Sequence, residues 1–441
     1  MWPAIVNGYP LVYSDSGTYI ISGFLKNVPM DRPIAYGLFI NLLGAGTSLW
    51  FVVIAQALLV IFTIYMLVRL VTKSAPWPWT IGLVLVPGLT TGVSNYTSQI
   101  MPDIFSALSI VGFGVLLAQK KFGWLEVLLS CIVVLSAMFH FSILMVGMGM
   151  GIVAIIGWAI CRTNFTVVRK AVLLSTLPVL LVLGLNYSLT DEVFISKTSN
   201  VFTTARIMET GVLADFLTEN CGQNEYLLCN SVNDFPNHAH EFLWNDDSPL
   251  YDEDCRSRRF TACWLEKNHH FGFMLKDIVT QPKYLSQLAV IYTVDFFSQL
   301  GDFGIGLLTP QTEGSAAQNC LTKVYPSELD AYKSTAQYKE TQFFKTASSI
   351  QMVMVILGLL GILWGLFQAY RNKTIQNYAW AFMLILGVLG NALSVTIFSG
   401  VLDRYQSRVI WILPLIALCI LVRFWENRQE LTQISNKNNE V

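Results

Sequence analysis

The chain has 441 residues, of which 54% are hydrophobic and only 13% charged, and its formal net charge is −1. Mean hydropathy is positive at +0.51, and several apolar runs are long enough to cross the roughly 30 Å of hydrocarbon in a bilayer, so the composition excludes an ordinary water-soluble domain. The net charge says nothing about partners, because the two signs are segregated along the chain; no stretch points to nucleic acid.

The chain opens with a short apolar segment, Met1 to Val6, and a turn, Asn7-Gly8-Tyr9-Pro10. That segment is too short to span a membrane or to act as a signal peptide. It reads either as an outer N-terminus or as the end of a helix preceding the sequence. Next come Tyr13-Ser14-Asp15-Ser16-Gly17-Thr18-Tyr19 and Asp31-Arg32-Pro33. Pro33 can start a helix, and Ile34 to Leu43, stopped at Gly44, reads as a helix lying at the interface. Spans are expected at Leu49–Val71, Trp79–Ser94, Ile104–Ala118, Trp124–Phe139, Phe141–Ile160 and Ala171–Tyr187, then at Ile350–Phe367, Tyr378–Phe398 and Val409–Phe424, about nine in all. The fold class is therefore an all-α polytopic membrane bundle. Its parts are an N-terminal membrane module (1–187), an inserted external loop subdomain (188–345), C-terminal membrane helices (346–424) and a polar tail (425–441).

Orientation follows from the basic residues of the short connections. Arg69 and Lys73, Lys120 and Lys121, Arg162 with Arg169 and Lys170, Arg371 and Lys373, and Arg423 with Arg428 mark one set of ends as cytoplasmic. The N-terminal segment, the Asn95–Asp103 turn, the long loop and Gly400–Arg408 are then outside and the C-terminus inside. Tyr284–Leu308 is apolar and long, but a crossing there would reverse every later loop. It is expected to be interfacial or re-entrant, with Asp295 and Asp302 on its wet side.

The long loop carries about 21 acidic and about 12 basic residues. Five of the eight cysteines are in it: Cys221, Cys229, Cys255, Cys263 and Cys320. On an exported face this usage implies disulfides with one cysteine left over, and spacing alone does not fix the pairing. A metal site using these thiols with His238 and His240 or with His269 and His270 lacks the spacing of a zinc module.

Outside that loop and the tail, the acidic residues are Asp15, Asp31, Asp103, Glu126 and Asp403. All but Glu126 fall at the outer face on this topology. Singly, Asp15 could cap a turn, Asp103 could meet the positive end of a helix dipole and Asp31 could pair with Arg32. Their convergence on one sparsely charged face favours chemistry, with a carboxylate able to take a proton from a hydroxyl. Lys26, Arg32, Arg404 and Arg408 share that face, where arginine can hold a phosphate through paired hydrogen bonds; snorkelling to headgroups is the plainer explanation of any one of them. His140, in a tight outer turn, is either a polar interface residue or a substrate contact.

The order Asp15-Ser16-Gly17-Thr18-Tyr19, then Asp31-Arg32-Pro33 and an interfacial helix, then Pro102-Asp103, resembles the C-type (GT-C fold) membrane glycosyltransferases. Asp403-Arg404-Tyr405-Gln406-Ser407-Arg408, running into Pro414, is similar to the late Arg-Tyr element of that family. The resemblance implies transfer of a sugar from a polyprenyl-phosphate donor to a glycan, lipid or protein acceptor at the outer face of a multi-pass membrane protein, most naturally of a bacterial inner membrane. It makes Asp15 the general base and Asp103 a second catalytic carboxylate. Arg404, Arg408 and Arg32 become the donor-phosphate ligands, and Tyr19, Asp31, His140 and Tyr405 the candidate substrate contacts. No cofactor is firmly implied, and one acidic residue where some relatives carry two argues against a required divalent cation. The other readings are a polysaccharide polymerase or ligase resting on the arginines and His140, a non-catalytic assembly protein, and a transporter. The last would need ionisable groups deep in the spans, where these helices have almost none.

Overall fold

The computed structural model describes residues 1–162, 164–222, 225–251, 255, 260–306, 308–339 and 345–439. The fold is helical throughout. Among the described residues the only strand-like pairing is a single bridge of Leu11 with Gln99. Among the described residues six helices are long and apolar enough to cross a membrane: Trp50–Val71, Phe141–Cys161, Thr166–Thr190, Ala347–Arg371, Ile375–Phe398 and Asp403–Gln429.

Three of the nine expected spans form shorter helices, Pro76–Thr90, Asp103–Ala118 and Trp124–Phe139. At 1.5 Å per residue they reach about 22–24 Å, less than the hydrocarbon thickness. The Asp103–Ala118 helix shows what hydropathy alone does not distinguish in such a segment. It is buried along nearly its whole length, packed against the Trp50–Val71, Trp124–Phe139 and Ala379–Phe398 helices. Its apolar residues face other helices on all sides, as those of a core helix do.

Two close approaches set the packing. A Cβ on Gly23 would overlap the Gly37 carbonyl, so the Ser16–Leu25 and Ala35–Gly44 helices cross in backbone contact. A Cβ on Gly358 would stand 2.8 Å from the Pro414 backbone, which lets the Lys345–Arg371 helix lie flush against Ile412–Asn439. Pro414 has no N–H to offer Ile410, so the last long helix breaks at Trp411. The indole N–H of Trp411 donates instead to the Arg408 carbonyl at 3.0 Å.

The long insertion packs in two ways. Residues Val201 to Leu288 enclose a separate hydrophobic core around Phe216, Trp264 and Phe271, crossed by the Cys221–Cys229 and Cys255–Cys263 disulfides. Cys320 is free and half-buried. By contrast Ala317, Leu321, Tyr325 and Tyr332 belong to the core of the membrane bundle, where Ala316–Val324 packs on Ser16–Leu25. Glu328 fixes this return: its carboxylate accepts from Tyr9 Oη at 2.7 Å, Ser48 Oγ at 2.6 Å and the Leu49 N–H at 3.1 Å.

The stretch expected to be interfacial is a 20-residue helix, Pro282–Gly301, and it is not one of the six span-like helices. It leans on Ala379–Phe398. Asp295 is not simply solvated, because it pairs with Arg206; Asp302 is exposed.

Candidate active site

Most of the predicted charged residues lie at one end of the bundle, on turns pinned by buried amides. The Tyr13–Ser16 turn is closed by Ser16, whose Oγ accepts from the Tyr13 N–H at 2.9 Å and donates to the Ile100 carbonyl at 2.8 Å. Leu11 exchanges backbone hydrogen bonds with Ser98 and Ile100, each at 2.9 Å, so the first segment is fastened to the turn that precedes Asp103. Gln56 accepts from Tyr36 Oη and donates to the carbonyls of Thr97 and Gln99. Gln351 accepts from the Gly92 N–H and donates to the Phe303 carbonyl and to Ser407. Gln337 does the same work for Val12, accepting from its N–H and donating to its carbonyl.

On this frame Asp15 occupies the N-cap of the Ser16–Leu25 helix without capping it. Its carboxylate lies instead between two guanidinium groups, 3.4 Å from Arg32 Nη1 and 3.7 Å from Arg404 Nη2. These contacts are long for hydrogen bonds, so the carboxylate is held between charges without being clamped. Arg32 is bound more tightly to Asp31, through Nε at 2.8 Å and Nη2 at 2.6 Å, and its plane lies 5.1 Å from the Tyr19 ring. Arg404 is flanked by the Tyr13 ring at 4.2 Å and the Tyr405 ring at 5.4 Å. Its backbone N–H donates to Asp403 at 2.6 Å. Arg32 Nη1 and Arg404 Nε are both buried and have no hydrogen-bond partner.

A deeper layer lies beneath. One helical turn beyond Arg404, Arg408 donates to Asp103 at 3.0 Å, to Asn391 Oδ1 and to Ser142 Oγ at 2.9 Å. Asn391 in turn donates to the Tyr405 carbonyl. The Ser142 hydroxyl is 2.8 Å from His140 Nδ1, which also accepts from the Ser142 N–H and so caps the Phe141–Cys161 helix. Exposure separates the layers: the Asp15 side chain is 33% accessible, those of Asp103 and Arg408 only 4% and 1%.

The structure thus brings together Asp15, Tyr19, Asp31, Arg32, Arg404 and Tyr405 around one partly open carboxylate. Asp103 and Arg408 form the buried layer below, with half-buried His140 beside them and every side-chain nitrogen of Arg408 already engaged. Lys26 is exposed at the end of its helix and Glu126 pairs with Arg69 at the opposite end of the bundle, at 2.9 Å. The sequence reading missed the amides Gln56, Gln337, Gln351 and Asn391. For Gln56, Gln351 and Asn391 the one signal was a polar side chain within or at the edge of an apolar segment; Gln337, in a polar stretch, had none. Among the described residues no group of three or more His, Cys, Asp or Glu is arranged to hold a metal ion.

This architecture is all-helical among the described residues, with six helices long and apolar enough to cross a membrane, as in an integral membrane protein, an ordered cluster of opposed charges at one end and a disulfide-bonded subdomain. No protein-family model, no curated protein and no solved structure matches the chain.

Proposed function

We propose that the chain is a glycosyltransferase that moves a sugar from a polyprenyl-phosphate-linked donor to an acceptor hydroxyl, with Asp15 as general base. The observation that carries this reading is the arrangement at Asp15: a partly open carboxylate flanked by Arg32 and Arg404, each with a buried nitrogen that makes no hydrogen bond. A base needs contact with a hydroxyl, and a leaving phosphate needs fixed cationic donors within a few ångströms of that base. Arg32 and Arg404 supply the donors, and the aromatic rings of Tyr13, Tyr19 and Tyr405 hold them in place.

In the proposed reaction Asp15 takes the acceptor proton as the acceptor oxygen attacks the anomeric carbon. The bond between that carbon and the phosphate oxygen breaks on the opposite side, and the polyprenyl phosphate departs against Arg32 and Arg404. Arg408 and Asp103 fix the helix that carries Arg404. The basic residues gathered at the other end favour an external position for this end under the positive-inside rule, and the disulfides support the same orientation.

The test is transfer of label from a polyprenyl-phosphate-linked sugar by the purified chain. Asp15→Asn should lower the rate by about 10²- to 10⁴-fold with donor binding kept, whereas Arg404→Gln should weaken donor binding. An Asp15→Asn enzyme that transfers at the normal rate would remove the assignment.

A further inference from the structure

At the end of the bundle opposite Asp15, a cavity of about 350 Å³ is lined by Arg69, Leu70, Ala118, Gln119, Lys120, Lys121 and Glu126. It opens where the Trp50–Val71 and Asp103–Ala118 helices end and Trp124–Phe139 begins. Two helix C-termini would ordinarily repel an anion here. That repulsion is cancelled on one of them: Lys170 donates to the carbonyls of Leu116 and Gln119, at 2.8 and 2.6 Å. The one acid in the wall is also occupied. Glu126 accepts from Arg69 at 2.9 Å and from the Gly123 N–H at 2.8 Å. Lys120 and Lys121 are exposed and make no ion pair among the described residues. Three cations of the lining therefore face one committed carboxylate, and two of the three have nothing to bind. Apolar side chains flank the lining residues: Phe122 and Trp124, between Lys121 and Glu126 in the chain, are 56% and 74% exposed. Exposed aromatic rings beside lysines mark the depth of lipid headgroups.

We infer that this cavity binds the phosphate of an anionic phospholipid headgroup, with Lys120 and Lys121 as its principal ligands, Arg69 beside them and the acyl chains lying along the exposed rings of Phe122 and Trp124. A basic pocket between membrane helices has the electrostatics and the access that a headgroup requires. The exposed aromatics Phe122 and Trp124 favour a lipid over a free phosphate, which would gain nothing from them. The inference does not rest on the transferase reading, because the two sites are at opposite ends of the bundle.

The experiment titrates the full-length protein in neutral detergent micelles with phosphatidylglycerol and follows the thermal unfolding midpoint. Phosphatidylcholine and inorganic phosphate are the comparison arms. The expected result is saturable stabilisation by phosphatidylglycerol alone. The double variant Lys120→Gln/Lys121→Gln should bind it roughly 25-fold more weakly, at about fivefold for each lysine near an anionic surface. Both lysines are exposed, so the variant should fold; Lys26→Gln, at the other end, should bind as the parent does. Equal stabilisation by phosphatidylcholine, undiminished binding in the double variant, or the whole effect reproduced by millimolar phosphate would each overturn the assignment.

Discussion

Arg408 Nη1 lies 3.0 Å from Asp103 Oδ1, although 305 positions separate the two residues in the chain. Both side chains are almost wholly buried. The pair ties the last long helix to the central one and sets the depth from which Arg404 reaches toward Asp15.

Breaking such a pair from one side should be costly. Arg408→Met leaves the Asp103 carboxylate buried without its cation, and a loss of about 3–5 kcal/mol is expected. The double variant Asp103→Leu/Arg408→Met removes both charges and should recover much of that loss, because similarly sized apolar residues replace them. Unfolding of the four proteins in one detergent, read as a double-mutant cycle, checks this. A double-variant loss equal to the sum of the two single-variant losses would mean that the pair carries no coupling.

His140 predicts a pH dependence. It occupies the turn between two helices, outside both. Burial, and then the neighbouring Arg408 guanidinium, push its imidazole down to about 3, with Arg32 and Arg404 adding to the effect and Asp103 opposing it. Unfolded, the same imidazole titrates near 6.5. Between those values the unfolded chain binds a proton that the folded chain refuses. The contribution to stability is therefore fully present above about pH 6.5 and is lost progressively as pH falls toward 3. His140→Asn keeps a side chain able to cap the following helix but does not titrate. The parent should lose stability relative to this variant as pH is lowered from 7 to 4, measured as unfolding midpoints in one detergent.

The charged residues of the site were legible in the sequence because they are so few. In an apolar chain, Asp15, Arg32, Asp103, Arg404 and Arg408 had to be paired or solvated, and their positions between apolar runs placed them at one face. What each would touch was not legible. Asp15 read equally well as a turn cap, and only the geometry shows that its carboxylate turns away from the helix N–H groups toward Arg32 and Arg404. Gln337 and Glu328 escaped altogether: they act on Val12 and Tyr9 from more than 300 residues away, and a lone polar residue in a long loop has no periodicity to betray its partner. Helix length separates six of the expected spans from the three shorter ones, a distinction composition does not carry. A 16-residue apolar helix surrounded by other helices and one that faces lipid have the same composition, and Asp103–Ala118 is the first kind.

The two disulfides should stabilise the insertion locally. Each joins cysteines eight residues apart, so each restrains a small loop, worth about 2.5 kcal/mol on a chain-entropy basis. Both are within the separate core built from Val201 to Leu288. Reduction should therefore raise hydrogen exchange there by one to two orders of magnitude. Exchange in the Asp103–Ala118 helix, whose packing involves neither bridge, should stay unchanged. The comparison is peptide-resolved exchange with and without reductant.

Gly23 offers a test that joins packing to the site. Its helix begins at Ser16, directly after Asp15, and crosses Ala35–Gly44, which begins three residues after Arg32. At the crossing there is no room for a methyl group, because a Cβ on Gly23 would collide with the Gly37 backbone on a rigid helix, with no flexible side chain to swing aside. Gly23→Ala must therefore part the two helices. Overpacking of this kind typically costs about 1–3 kcal/mol. It should also lengthen the contact between Asp15 and Arg32, already loose at 3.4 Å, without changing any charge. If sugar transfer depends on Asp15 standing between the two arginines, this variant should fold, bind anionic lipid at the far end as the parent does, and transfer more slowly. Gly82→Ala, where a Cβ meets nothing within 4 Å, is the control and should leave the transfer rate unaltered. Parallel transfer assays and unfolding midpoints for the two variants would separate displacement of the site from general loss of fold.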